Sequence, residues 1–226
     1  VYKRQVETIT IPDSITSIGY SAFYGSELWQ NCSTAEVYVG KWLVGFKDSV
    51  RGENFTFADG TIGIADYAGN STRWYVNSVT IPEGIKYIGA YTFSDCSITS
   101  ITLPNSLISI GEGAFQKSKL ASIIIPDGIT SIPDYAFYKC NSLLDAKIPD
   151  SITSIGKYAF LDTALLSNQS TDMKYVGNWL VLGTYGENKL KEGTVGIADR
   201  AFNNGSYSVS VSSITMVSSL KYIGAE

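Results

Sequence analysis

Apolar residues recur along this chain at fixed offsets ahead of a proline. The trios Val6, Ile9, Ile11; Val76, Val79, Ile81; Ile98, Ile101, Leu103; Leu120, Ile123, Ile125; and Leu143, Ala146, Ile148 run up to Pro12, Pro82, Pro104, Pro126 and Pro149. The last two members of each trio alternate with small polar residues, as in Thr8 and Thr10, Ser78 and Thr80, or Ser100 and Thr102. A period of two predicts a short strand with one face buried and the other in water. Proline ends each strand by removing a donor and fixing φ, and Asp13, Glu83, Asn105, Asp127 or Asp150 follows as a turn former.

Past the turn the pattern becomes apolar, two polar, apolar, Gly or Pro, two variable residues, then Ala-Phe: Ile15, Ile18, Gly19, Ala22 and Phe23 in the first copy. It predicts a short extended or 3₁₀ back segment and an aromatic plug, so Phe23, Phe93, Phe115, Phe137 and Phe160 should form a ladder. Glycine at 19, 89, 111 and 156 suits a backbone conformation closed to most residues, although Pro133 in the equivalent place means that positive φ is not general there.

Pro82, Pro104, Pro126 and Pro149 are 22, 22 and 23 residues apart, a period that signals a solenoid whose units bury their apolar faces against neighbours. Two stretches, Gly25 to Asn77 and Thr163 to Val211, look non-repetitive but copy each other. Tyr38-Val-Gly-Lys-Trp-Leu-Val matches Tyr175-Val-Gly-Asn-Trp-Leu-Val, and Gly60-Thr-Ile-Gly-Ile-Ala-Asp matches Gly193-Thr-Val-Gly-Ile-Ala-Asp. Pro12 to Pro149 and Trp42 to Trp179 both span 137 residues, about six rungs. The expectation is therefore divergent, Trp-containing rungs at about 26–75 and 163–210 that keep the stacking register, with Ala58, Lys191 and Val217 in the proline place. About ten rungs result. The polar tips Lys47 to Asn54 and Gly183 to Glu192 should project as loops or hairpin turns. Residues 1–226 read as a single solenoid domain. Both ends fall inside a unit, which suggests a fragment of a longer protein.

Ile-Pro-Asp/Glu, Ser-Ile-Gly-x-x-Ala-Phe and a small residue three places later resemble the BspA-like leucine-rich repeat family, as do the Tyr-Val-Gly-x-Trp-Leu-Val rungs followed by Gly-Ile-Ala-Asp. The resemblance covers nearly the whole chain. It implies a right-handed, mainly β leucine-rich-repeat solenoid with a parallel sheet on its concave face. It also implies a surface or secreted protein, bacterial or from a protist parasite, associated with adhesion to host or bacterial ligands. It carries no catalytic residue over, because the shared positions are structural. Ile124, Asp145 and Lys147 depart from the Ser/Thr rows, and the Trp-bearing rungs lack the proline.

With 17 basic against 21 acidic residues and a pI near 4.9, the chain has no basic stripe, and nucleic acid and anionic membrane are poor partners. No apolar run approaches the roughly 18–20 residues of a membrane span, so membrane insertion is not expected. There is no histidine, which removes the commonest general base, nucleophile partner and zinc ligand. Three cysteines without Cys-x-x-Cys spacing make no structural zinc site, and no phosphate-binding glycine run is present. No cofactor, metal or catalytic residue is expected, and an enzyme is not. Cys96 and Cys140 fill a small-residue slot two rungs apart, beyond disulfide reach, and should be free thiols. The recurring Glu83, Asn105, Asp127 and Asp150 could line a calcium edge, but one oxygen group per rung favours turn formation.

Two sets remain as candidate ligand-binding residues. Thr8, Thr10, Ser78, Thr80, Ser100, Thr102, Ser122, Asp145, Lys147, Ser213 and Thr215 point outward from the strands. Hydroxyl rows are ordinary solvent-facing strand residues, yet horseshoe repeats use such surfaces for partners, and the charged break at Asp145 and Lys147 could set specificity. Trp42 and Trp179 repeat and read as core; Trp29 and Trp74 do not, and make better contact candidates. Sequons at Asn31, Asn54, Asn70, Asn168 and Asn204 matter only in a eukaryotic secreted protein. The expected role is a cell-surface or extracellular module that binds a host or bacterial protein or glycan through the concave face or projecting loops. The alternative is a structural spacer without a ligand of its own. An ice-binding Thr-x-Thr array is a weak third reading, since Ser78, Ser100, Ile124 and Lys147 interrupt it.

Overall fold

Each strand-ending proline turns the chain in the same way: the carbonyl of Pro12, Pro82, Pro104, Pro126 or Pro149 accepts the N–H of the residue three places on, at 3.1–3.4 Å. Ala58, Lys191 and Val217 make the same turn at 3.1–3.2 Å, so they stand in the proline place as the register predicts. The computed structural model of the chain describes residues 8–69, 74–203 and 211–225, the side chains of Glu53 and Trp74 excepted; Val6 lies outside them.

In chain order the elements are α1 (Glu27–Asn31), β1 (Glu36–Val39), β2 (Trp42–Phe46), β3 (Val50–Phe55), β4 (Gly63–Ile64), β5 (Trp74–Thr80), β6 (Tyr87–Ile88), β7 (Ser100–Thr102), β8 (Ser109–Ile110), β9 (Ser122–Ile124) and β10 (Ser131–Ile132). Then come β11 (Asp145–Lys147), β12 (Ser154–Ile155), α2 (Ala164–Ser167), β13 (Lys174–Val176), β14 (Trp179–Leu182), β15 (Gly186–Lys189), β16 (Gly196–Ile197), β17 (Val211–Thr215) and β18 (Tyr222–Ile223). The strands form two parallel stacks. β3-β5-β7, β9-β11 and β15-β17 make the front, with Val79 opposite Ile101 and Thr80 opposite Thr102. The two-residue strands β4-β6-β8, β10-β12 and β16-β18 make the back. Between them Ile81, Ile85, Ile88, Leu107, Ile123, Ile132, Leu143 and Ile155 are buried in a core that runs from Ile18 to Ala198.

The back segments are extended pairs joined by turns, and no 3₁₀ helix occurs among the described residues. Seven front strands are paired among those residues, giving a solenoid of about seven turns where about ten rungs were expected. The two Trp-bearing stretches account for most of the difference, and the first front segment, Thr8 to Ile11, belongs to no paired strand. β1-β2 and β13-β14 are antiparallel hairpins, and only their second strand enters the back stack, Trp42-Leu43 beside Gly63-Ile64 and Trp179-Leu180 beside Gly196-Ile197. Each hairpin is thus an insertion and adds no full turn. Its glycine partner has a purpose: a Cβ on Gly63 or Gly196 would lie 2.5 or 2.3 Å from the neighbouring indole. The bare position lets Trp42 stack on Tyr87 and Trp179 on Tyr222, centroids 5.7 and 5.6 Å apart.

A second correction concerns the tips. Lys47 to Asn54 and Gly183 to Glu192, expected to project as loops or hairpin turns, instead supply most of β3 and all of β15, front strands paired in parallel with β5 and β17. Their polar residues are the solvent face of a half-buried strand, with Phe55 and Asn188 turned inward.

The glycines of the Ser-Ile-Gly motif do not need positive φ. A Cβ on Gly89, Gly111, Gly156 or Gly224 would lie 2.3–2.5 Å from backbone or side-chain atoms of the preceding rung, whereas Gly19 has open space. Close backbone approach is the constraint. It lets Gly89, Gly111 and Gly156 donate to Ile64, Ile88 and Ile132 at 2.8 Å. Pro133 has no N–H to offer, and the back sheet parts there, between β8 and β10. The front sheet parts at the same boundary, between β7 and β9.

Left-handed backbone falls two places later. Ser21, Tyr67, Tyr91, Gly113, Tyr135, Tyr158 and Arg200 have φ of 53–57°. Each costs a non-glycine residue about 1–2 kcal/mol. Bonds to the next rung offset it: in the turn after β6, Tyr91, Phe93 and Asp95 donate to Glu112, Ala114 and Gln116 at 2.7–2.8 Å.

Candidate functional site

The front strands place the predicted hydroxyl rows as their alternation requires. Thr80, Ser100, Thr102 and Ser122 are exposed on β5, β7 and β9, and Ser213 and Thr215 on β17. Ser78 is half-buried and donates to Asn54 on β3 at 2.6 Å. Thr8 and Thr10 are exposed but belong to no paired strand. On β11, Asp145 lies opposite Ser122 and Lys147 opposite Ile124, and neither charge forms an ion pair among the described residues. Two large apolar side chains share this patch: Ile124 is 62% exposed and Leu144 59%.

In the carboxylate row Glu83 braces a turn. Glu83 accepts the backbone N–H groups of Asn105 and Ser106 at 3.0 and 3.1 Å, which hold its carboxyl below the ordinary range. Asp66, Asp134 and Asp199 act alike one corner further on, accepting from Ala90, Lys157 and Ala225 at 2.7–2.9 Å. Among the described residues no three carboxylates or cysteines converge as a metal site, and no helix is long and apolar enough to cross a membrane. Cys96 and Cys140 are buried free thiols and Cys32 is a half-buried one.

Trp42 and Trp179 are core, 1% and 3% exposed. Trp29 is half-buried on α1, away from the front strands; Trp74 opens β5, and its side chain lies outside the described residues, as do sequon residues Asn70 and Asn204. Trp29 belongs to a cleft of about 320 Å³ between the first turn and the first hairpin, lined by Tyr20, Tyr24, Val44, Gly45, Asp66 and Tyr67 among others. The three tyrosines escaped the sequence reading because they occupy variable positions. The signal was there in the second copy, which carries Lys157, Leu161 and Arg200 instead.

Six copies of a BspA type leucine rich repeat region match the chain over residues 2–41 and 62–180. The chain belongs to that family. No curated protein matches it. Among solved structures it is similar to a leucine-rich repeat protein from Bacteroides ovatus, at 18% identity and a TM-score of 0.51, over 96% of this chain and 56% of that one. It therefore spans little more than half that protein's length. Looser matches are the pneumococcal vaccine antigen PcpA (20% identity, TM-score 0.46, 80% of this chain and 59% of that one) and a leucine rich cell surface protein from Faecalibacterium prausnitzii (19%, 0.44, 81% and 71%). At these identities the likeness is one of fold.

Proposed function

We propose that the chain is a cell-surface or secreted binding module that engages a host or bacterial protein or glycan through its front face. One observation carries this: Ile124 on β9 lies beside Lys147 on β11, and both are exposed together with Asp145 and with Leu144 just ahead of that strand, while the folding work is done by their buried or half-buried neighbours Ile123, Leu143 and Ala146. Apolar anchors beside unpaired charges suit partner recognition and add nothing to the core. Family membership supports surface display and an adhesive role. The test is a matrix-protein and glycan array with the purified chain, repeated with Lys147→Glu and Thr102→Trp. Both variants are expected to weaken whatever binds, and unchanged binding of both removes this face.

The spacer reading draws on a different observation, the backbone bonds that tie each turn to the next. About seven turns at ~4.8 Å make a stiff body roughly 35 Å long. Absence of any saturable ligand on the array is the result expected of a spacer.

A further inference from the structure

We propose that the aromatic cleft between the first turn and the first hairpin binds the pyranose ring of a neutral saccharide. The site lies apart from the front strands, so it goes beyond the front-face reading and can fail separately.

The chain contains its own control. Residues 12–46 and 149–183 are copies, 137 positions apart, and the second copy has a matching site lined by Leu161, Leu166, Val181, Leu182 and Arg200. There the space is about 10 Å³, against about 320 Å³ in the first. Three aliphatic residues close it: Leu161, Leu166 and Leu182 stand where the first copy has Tyr24, Trp29 and Gly45. The fold is thus complete with a filled joint, and opening it serves no packing purpose. Gly45 is what admits the indole. Its φ is +152°, and a Cβ there would lie 2.7 Å from the ring of Trp29.

The lining has the two chemistries a sugar ring presents. Tyr24 meets Trp29 edge-on at 5.4 Å, Tyr20 packs on Tyr67 at 4.9 Å, and Tyr67 stacks on Tyr91 at 4.9 Å. Tyr20 and Tyr24 remain 67% and 59% exposed, leaving ring surface for the C–H face of a pyranose. Asp66 spends Oδ1 on the N–H of Ala90, and its Oδ2 accepts no hydrogen bond among the described residues. A carboxylate oxygen accepts readily from sugar hydroxyls. A proline-rich peptide is the other ligand that aromatic grooves take, but proline has no N–H to give Asp66. Among the described residues the lining holds a carboxylate and no lysine or arginine, which disfavours uronic, sialic and sulfated sugars. The volume is at the small end of the ~300–1,000 Å³ of ligand pockets, room for a sugar or two.

The test is saturation-transfer NMR and tryptophan fluorescence titration with cellobiose, lactose and diacetylchitobiose, beside 3′-sialyllactose and a decaproline peptide. Saturable binding of at least one neutral disaccharide is expected, lowered at least tenfold in the Trp29→Leu/Gly45→Leu double variant, which introduces two of the three leucines of the closed joint. Tyr20→Ser, at an exposed ring, should weaken it severalfold without disturbing the core, and it carries the test if the double variant melts early. Lys147→Glu on the front face should leave it unchanged. The proposal is overturned if no neutral disaccharide saturates, if decaproline or sialyllactose binds more tightly, if Tyr20→Ser binds as well as the parent, or if Lys147→Glu weakens binding equally.

Discussion

The rings of Phe115 and Phe137 lie face to face, 5.4 Å between centroids and 6° from parallel. Phe93 and Phe160 extend the stack at 5.6 and 5.1 Å, and all four are fully buried. Adjacent turns therefore share one aromatic column, and each ring is the floor of the next. The column stops at Gly69, which takes the phenylalanine place one turn before Phe93, and Phe23 beyond it is only half-buried.

Phe115, like Phe137, has a ring on either side and is fully buried. Phe115→Ala should cost about 3–5 kcal/mol through the cavity it leaves. Urea melts measure this directly, and a loss under about 1 kcal/mol would be incompatible with the stack.

Gly111 and Gly19 occupy the same motif position and should respond oppositely to alanine. At Gly111 the new Cβ would lie 2.3 Å from the amide nitrogen of Ala90, so the two turns must separate and their bond to Ile88 must lengthen. A loss of about 2 kcal/mol or more is expected. At Gly19 nothing lies within 4 Å, and removing a flexible residue from the unfolded chain should stabilise by about 0.4–1 kcal/mol. Thermal melts of the pair distinguish close approach from a φ requirement, under which both would lose.

Asp134 reaches across a turn to the N–H of Lys157 at 2.9 Å. Asp134→Ala should cost about 1–2 kcal/mol by leaving that N–H without its charged acceptor. Most of the loss should persist in molar salt, because the hydrogen bond is screened far less than the accompanying ion pair with the Lys157 ammonium. Denaturant titrations with and without salt separate the two.

The turns were legible wherever a residue type has one mechanical meaning. Proline, the alternating apolar pair and the buried phenylalanine each announce their place, and even Ala58, Lys191 and Val217 could be located by spacing alone. The hairpins were not, since 23-residue arithmetic fits an added turn and an inserted hairpin equally well; only pairing direction separates them. Val50–Phe55 and Gly186–Lys189 misled for a related reason: a half-exposed strand with glycine in it reads as a loop until its partner is known. The aromatic cleft was hidden more deeply, because Tyr67 is distant in sequence from Tyr20 and Tyr24 and meets them through a fold that the motif itself does not describe.

Cysteine reactivity should divide sharply. Burial pushes the Cys96 thiol up to about 12, with Asp95 adding to it, and burial pushes Cys140 up to about 11 against the opposing hydrogen bonds of Ser118. Cys32 is also raised by burial, but hydrogen bonds with Thr34 and the nearby Lys47 ammonium outweigh this and hold it below its ordinary value. The thiolate is the nucleophile, so at pH 8 an aromatic disulfide reagent should titrate one fast equivalent from Cys32. The other two should appear only in denaturant, and three fast equivalents would contradict the burial of both core thiols. The same shifts set a stability window: the folded state holds the two buried protons more tightly than the unfolded chain, whose thiols titrate near 9.0. Their contribution is intact below that pH and is lost as pH rises toward 11 and 12. Cys96→Ser/Cys140→Ser should flatten that alkaline decline, and melts from pH 8 upward measure it.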